Sequence, residues 1–158
     1  RFKYNLRLMQ IVANNKKAFF EYFILEKIEA GIQLTGDEVK SLRVGKASIK
    51  EAYAEAKKGQ LFLVNSDISN YEKASGYSKL NSKRVRKLLV HKKEISKLQG
   101  KIEKEGMTIV PLKLYFNNKG IAKVEIAIAK GKKLYDKREV KKKKDWNIQK
   151  KRLLKNIN

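Results

Sequence analysis

The sequence predicts a mainly β protein with short helices, in which one antiparallel sheet closes into a small barrel followed by a basic C-terminal tail. Three observations carry this. Apolar and polar residues alternate with period two in several segments, the mark of strands with one buried face. Helical spacing is confined to short stretches. The segment Lys130–Asn158 holds 13 Lys or Arg against 3 acids, including the run Lys141-Lys142-Lys143-Lys144. Such a segment repels itself and has too little apolar surface to fold alone.

Residues 1–13 read as a flexible extension. The chain begins at Arg1, and a start at Met9 would leave Arg1 to Leu8 as an upstream addition. Ile28, Ala30, Ile32 and Leu34 alternate with Glu29, Gly31, Gln33 and Thr35, which gives a half-buried strand begun near Tyr22. Thr35-Gly36-Asp37-Glu38 has capping-box spacing, so a short helix through Val39 and Leu42 should follow and stop near Gly45. Ile49 to Ala56 and Gln60 to Ile68 read as strands of a hairpin turned by Lys57-Lys58-Gly59. Tyr71 to Lys83 is polar and reads as a loop. Leu88-Leu89-Val90 fits either a buried strand or a first helical turn. Ile95, Leu98 and Ile102 are spaced for a helix that ends by Gly106.

Val110, Leu112, Leu114 and Phe116 alternate with Pro111, Lys113 and Tyr115. Asn117-Asn118-Lys119-Gly120 turns the chain, and Val124, Ile126 and Ile128 alternate on the way back. Pro111 donates nothing to a ladder, so its strand should lie at an edge or turn that nitrogen away from the partner. The order is strand, short helix, hairpin, loop, helix, hairpin. A closed barrel buries the apolar face of such a sheet without leaving edges, and an oligonucleotide-binding (OB)-like barrel over residues 14–131 fits best. Residues 132–158 form the tail.

The formal charge is +23, and setting aside the tail's +10 leaves +13 for residues 1–129. Charge of this size selects polyanionic partners. A membrane is the weaker choice, because no apolar run approaches the ~20 residues of a spanning helix, and the apolar clusters near the start, broken by Asn14, Asn15, Lys16 and Lys17, do not read as a signal peptide. The chain has no cysteine, which removes disulfides and thiolate metal sites and fits a reducing cytosol. His91 is the single histidine, beside Lys92 and Lys93, and no nucleophile–base constellation can be built on it. No phosphate-binding glycine loop occurs. Glu29, Asp37 and Glu38 are the set a metal-dependent nuclease would use, but the expectation is no enzyme and no cofactor.

The binding reading has several basic sets. Asn15-Lys16-Lys17 precedes the aromatics Phe19, Phe20, Tyr22 and Phe23. Lys40 and Arg43 are three apart on the short helix, while Lys83, Arg84, Arg86 and Lys87 cluster before the apolar run. Cations hold phosphates and aromatics stack on exposed bases. In the tail, Trp146, Leu153, Leu154 and Ile157 fall at roughly helical spacing. A polyanion would release counterions and order that face, so the tail should be disordered when free and helical on RNA.

Several blocks appear in order: Asn15-Lys16-Lys17-Ala18, Glu29-Ala30-Gly31-Ile32, Glu38-Val39-Lys40-Ser41-Leu42-Arg43, Arg86-Lys87-Leu88-Leu89, Val110 to Phe116, and Ala129-Lys130-Gly131-Lys132-Lys133 with Asp136-Lys137-Arg138-Glu139. From about Asn14 to Asn156 the chain resembles the bacterial SsrA-binding protein (SmpB) family. The resemblance implies an adaptor, not a catalyst, that binds the tRNA-like domain of tmRNA and carries it to stalled ribosomes for trans-translation and peptide tagging. It implies partnership with aminoacylated tmRNA and elongation factor Tu, and with small-subunit rRNA at the decoding centre and mRNA channel. A cytoplasmic monomer is expected.

The expected RNA contacts of the barrel are Asn15, Lys16, Lys17, Glu29, Lys40, Arg43, Arg86 and Lys87. Those of the tail, against the ribosome, are Lys130, Gly131, Lys132, Lys133, Asp136, Lys137, Arg138, Trp146, Leu153 and Leu154. The chain departs from the family pattern at Phe19-Phe20, where an Arg-His pair is common, and in residues 79–85, where prolines are usual. The other readings are a general ribosomal or structured-RNA-binding OB protein, and a nuclease.

Overall fold

The computed structural model describes residues 9–71, 81–132 and 134–156; in the last helix the side chains of residues 134–137, 139 and 140 are not described. Strands are β1 (Gln10–Asn14), β2 (Tyr22–Ile32), β3 (Ala47–Ser48), β4 (Tyr53–Lys57), β5 (Gln60–Val64), β6 (Asp67–Ile68), β7 (Arg86–Leu89), β8 (Thr108–Phe116) and β9 (Ala122–Gly131). Helices are α1 (Lys16–Glu21), α2 (Gly36–Arg43), α3 (Lys92–Glu105) and α4 (Leu134–Lys155).

All pairings are antiparallel. β8 pairs with β4, β4 with β5, β5 with β7, β7 with β2, β2 with β9, and β9 returns to β8. The circuit is therefore closed, as the alternation predicts. β1 adds to the stretch of β8 that β4 leaves free, with Gln10 opposite Phe116 and Asn14 opposite Lys113. Residues 10–13, expected to be part of a flexible extension, are thus strand; residues 1–8 lie outside the described residues.

Two bulges decide which residues face which core. In β2 the register against β9 shifts between Ile24 and Glu26, and in β8 it shifts between Pro111 and Lys113. Tyr22, Ile24, Val110 and Leu112 therefore join Ala18 of α1, Ala127 and Ala129 in a small second cluster. Ile28, Ala30, Ile32, Leu114 and Phe116 face the main core with Leu61, Leu63, Leu88, Val124, Ile126 and Ile128. The unbroken alternation expected from Val110 to Phe116 is corrected here: an extra residue in one strand turns its neighbours to the other face. β8 is also not an edge strand. Pro111 sits at the bulge, on a stretch of β8 between its pairings with β4 and β1.

The helices follow their signals. α2 carries the full capping box, with Thr35 Oγ1 accepting from the Glu38 N–H at 3.3 Å and Glu38 accepting from the Thr35 N–H at 3.0 Å. α3 buries Ile95 and Leu98 in the main core and ends at Gly106 with φ +61°. The β4–β5 hairpin turns on Lys58 and Gly59, both at positive φ (52° and 71°), the conformation a two-residue type I′ turn requires. The long strands expected on either side of it are shorter. Ile49 to Ala52 forms a turn, and Asn65, at φ 62°, breaks the second run before the small β3–β6 ladder. The ambiguous run at Leu88 is settled as strand by pairing of β7 with both β5 and β2. The loop expected over Tyr71 to Lys83 falls mostly in residues 72–80, outside the described residues. No helix among the described residues is long and apolar enough to cross a membrane.

Candidate nucleic-acid interface

The outer wall of the barrel is built by the residues that alternate with the core. On β2, Ala30 is fully buried while Glu29 is exposed. In register, Glu29 lies opposite Glu125 of β9, which in turn lies opposite Lys113 of β8. Gly31 lies opposite Lys123, and Lys123 opposite Tyr115. The Tyr115 hydroxyl donates to Glu29 Oε2. Burial first, then the hydrogen bond and charge of Glu29, push the Tyr115 phenol above its ordinary pKa, so it stays a donor. Lys27 Nζ stands 3.9 Å from Glu125 Oε1.

Beside this face runs an open cleft of about 860 Å³ between β2, β7, the β4–β5 turn and the start of α3. Lys27, Lys87, Lys92 and Lys123 line it together with Glu29, His91 and Glu94. Its apolar part includes Gly31 and Leu89, and Leu89 is half exposed. A Cβ on residue 31 would meet Leu89 Cβ at 3.1 Å, so a larger residue there would press on Leu89. Glu26 also lines it, paired with Lys97 at 2.7 Å; the arrangement offers phosphate-binding cations around an apolar surface, with the Glu29 carboxylate placed to accept from a base amino group or a 2′-hydroxyl.

Among the other expected contacts, Lys16 is exposed. Lys17 is half exposed but paired with Glu51 at 3.0 Å and Glu21 at 3.6 Å, and those carboxylates, Glu51 foremost, raise its pKa. Lys40 and Arg43 both project from α2. Lys40 Nζ lies 5.5 Å from the Tyr71 ring centroid, and Arg43 stacks 4.5 Å from that of Phe116 while donating to the Gly120 carbonyl at 3.4 Å. Lys87 reaches the cleft.

Two expected contacts are corrected. Asn15 is buried: its side chain caps α1 by accepting from the Ala18 N–H at 3.2 Å and donates to the Pro111 carbonyl at 2.9 Å. Arg86 is fully buried. Its guanidinium donates to Glu38 Oε2 at 2.5 Å and, each at 2.9 Å, to the Ser66 carbonyl and hydroxyl and the Ser82 carbonyl. Both side chains are spent on protein partners and have no surface to offer RNA. Arg84 also donates to Glu38, at Oε1.

At the end of β9, Lys130 and Gly131 are exposed. Lys132 leans back onto α1 and the start of β2, 3.2 Å from the Phe19 carbonyl and 5.0 Å from the Phe23 ring centroid. Lys133 lies outside the described residues, and Asp136 and Lys137 fall within α4, where their side chains are not described. Arg138, Trp146, Leu153 and Leu154 are exposed on α4. Ile157 lies outside the described residues.

Sequence reading missed Lys27, Leu89, Tyr115, Lys123 and Glu125 as members of this face. Period two did place Tyr115 with Lys113 away from Leu114, which was the available signal.

The sequence model of the SmpB protein family matches residues 12–156. Two curated relatives named SsrA-binding protein are each 55% identical to the chain. The one from Nitrobacter winogradskyi (strain ATCC 25391 / DSM 10237 / CIP 104748 / NCIMB 11846 / Nb-255) aligns over 148 residues, 94% of each chain. The one from Rhodopseudomonas palustris (strain HaA2) aligns over 150 residues, 95% of each. This chain belongs to the SmpB family. A solved structure described as "tmRNA-SmpB: a journey to the center of the bacterial ribosome" is 50% identical with TM-score 0.64, over 77% of this chain and 84% of that one. In this chain the block Glu29-Ala30-Gly31-Ile32 puts Glu29 on the outer wall, with Ala30 and Ile32 in the core.

Proposed function

We propose that the chain is the tmRNA-binding adaptor of trans-translation. Its barrel binds the tRNA-like domain of tmRNA, and its basic C-terminal helix engages the stalled ribosome. The observation that carries this is the outer face holding Glu29 beside a cleft rimmed by Lys27, Lys87, Lys92 and Lys123. A structured RNA elbow supplies what that face lacks: phosphates for the lysines, an unstacked base or ribose edge for the apolar floor, and a donor for Glu29. The names of the relatives point to the same RNA. Lys16, Lys40 and Arg43 extend the contact, and Asn15 and Arg86 support it from inside.

The tail belongs to the same proposal. In α4 the lysines would reach rRNA phosphates in the mRNA channel near the decoding centre, with Trp146, Leu153 and Leu154 against its wall. Arrival as a monomer on aminoacylated tmRNA with elongation factor Tu, in the cytoplasm, completes the reading. The protein supplies binding and positioning, and no bond-making step is assigned to its residues.

The test is direct. RNA co-purified with the chain should be one species with a tRNA-like end; a mixture of ribosomal RNAs would favour a general ribosomal protein instead. In titrations with the isolated tRNA-like domain, Glu29→Ala should lose affinity with unchanged thermal stability. Ile32→Ala, a buried large-to-small change, should cost about 2–4 kcal/mol of stability. Full affinity in Glu29→Ala would remove Glu29 from the interface.

A further inference from the structure

Glu29 is in an unfavourable place for an exposed carboxylate. It lies directly across the strand pair from Glu125, and like charges in that relation repel. Glu125 is partly neutralised by Lys27 at 3.9 Å. Glu29 is answered differently: its Oε2 accepts from the hydroxyl of Tyr115, one strand further on.

The choice of partner matters chemically. A lysine in that place would cancel the charge and compete with an RNA donor. A phenol supplies one directional hydrogen bond and leaves the formal charge and the second oxygen in place. Tyr115 is itself fixed, since the residue is only 6% exposed in the barrel wall. A tyrosine is protonated across the physiological range in any case, and burial and the carboxylate contact push its pKa further up. A flexible glutamate on an outer wall would otherwise lose rotamer freedom when RNA docks.

We propose that Tyr115 is a positioning residue for RNA recognition: it clamps Glu29 Oε2 so that Oε1 stands ready to accept a hydrogen bond from a base amino group or ribose 2′-hydroxyl. This rests on the reading above that Glu29 meets the tRNA-like domain. Tyr115 itself touches no RNA in this account. Its effect passes entirely through Glu29.

The experiment is a double-mutant cycle on the full-length chain with the tRNA-like domain transcript as ligand, read by titration and paired with thermal unfolding. Tyr115→Phe keeps the buried ring and removes only the hydroxyl. Its affinity should fall about ten- to a hundredfold, the range set by one hydrogen bond to a charged group. In the Glu29→Ala background the same change should have no further effect, because nothing is left to position. Glu29→Asp, whose carboxylate is one methylene too short to keep both contacts, should behave like Tyr115→Phe and be insensitive to it. A merely structural tyrosine would lower the melting temperature and weaken binding equally in both backgrounds; that additive result overturns the proposal. Parental affinity in Tyr115→Phe, with Glu29→Ala weakened, overturns the positioning role alone. Parental affinity in Glu29→Ala overturns the reading on which it rests.

Discussion

Glu38 serves three donors with two oxygens. Oε1 accepts from the Thr35 N–H and from Arg84, and Oε2 accepts from Arg86. One carboxylate therefore caps α2 and ties it to β7. Burial alone would push this carboxyl up, but Arg84, the Thr35 backbone and Arg86 together outweigh it and hold the group below its ordinary value of 4.5. A pKa depressed on folding means stability that is complete above 4.5 and is lost as pH falls toward the lower folded value. Glu38→Gln should thus cost about 3–5 kcal/mol at neutral pH, as expected when one member of a buried ion pair is removed. Below pH 4.5 its unfolding should depend less on pH than the parent's. Melting temperatures from pH 3 to 7 check this, and parallel curves would show that Glu38 does not carry the linkage. The burial of Arg86 was partly legible. Arg86 and Leu88 are two apart in one strand and share a face, and both are buried. That inference required the run at Leu88 to be read as strand, and its sequence also fitted a helical turn.

The elements most legible were those with a local chemical cause. The capping box of α2, the Gly106 stop of α3 and the turn at Lys58-Gly59 each appear where their residues demand. What sequence did not show was non-local. β1 is half exposed and gains its place only by pairing with β8. The bulges at Leu25 and Leu112 swap faces without any change in the apolar pattern. Of the outer face, Glu29 and Lys87 were legible and Tyr115 was not, because its partner lies 86 residues away. The tail was expected to be helical only against RNA; here Leu134–Lys155 is helix, with its described side chains from Lys141 to Asn156 exposed. A helix so placed contributes little to the barrel. Truncation after Gly131 should leave most affinity for the tRNA-like domain and abolish peptide tagging on stalled ribosomes. Trp146→Ala should lower tagging more than binding. A tagging assay beside a titration on the same proteins decides the matter, and equal loss of both activities would put α4 in the tmRNA interface.

At the scale of the whole molecule, the excess of +23 is spread over barrel and tail rather than confined to one end. Association should therefore be dominated by phosphate contacts. For the barrel alone, about 4–6 such contacts give a slope of log K against log salt of roughly −3 to −5. Titrations of the tail-truncated chain between 50 and 300 mM salt, on the order of the range over which counterion release is measurable, test this. A flat response would exclude the electrostatic account even if binding were tight. Chain-wide charge and the order of the β segments were enough to predict a closed RNA-binding barrel. They did not show which cations end up on one wall, because that is set by strand register across the barrel.

The circuit of strands also has a kinetic meaning. Its two hairpins, β4–β5 and β8–β9, join neighbours in the chain and can form early. The seam between β2 and β9 joins Tyr22 to Gly131 and Gly31 to Lys123, so nearly the whole barrel sequence must exist before it can shut. Loop closure of that length precedes the reward from the last strand pairing, so folding should be slow, with rates on the order of milliseconds to seconds. During synthesis the edge of β2 that pairs with β9 stays open until β9 emerges, while its other edge can already pair with β7. The wall that carries Glu29 is therefore incomplete until synthesis has passed Gly131.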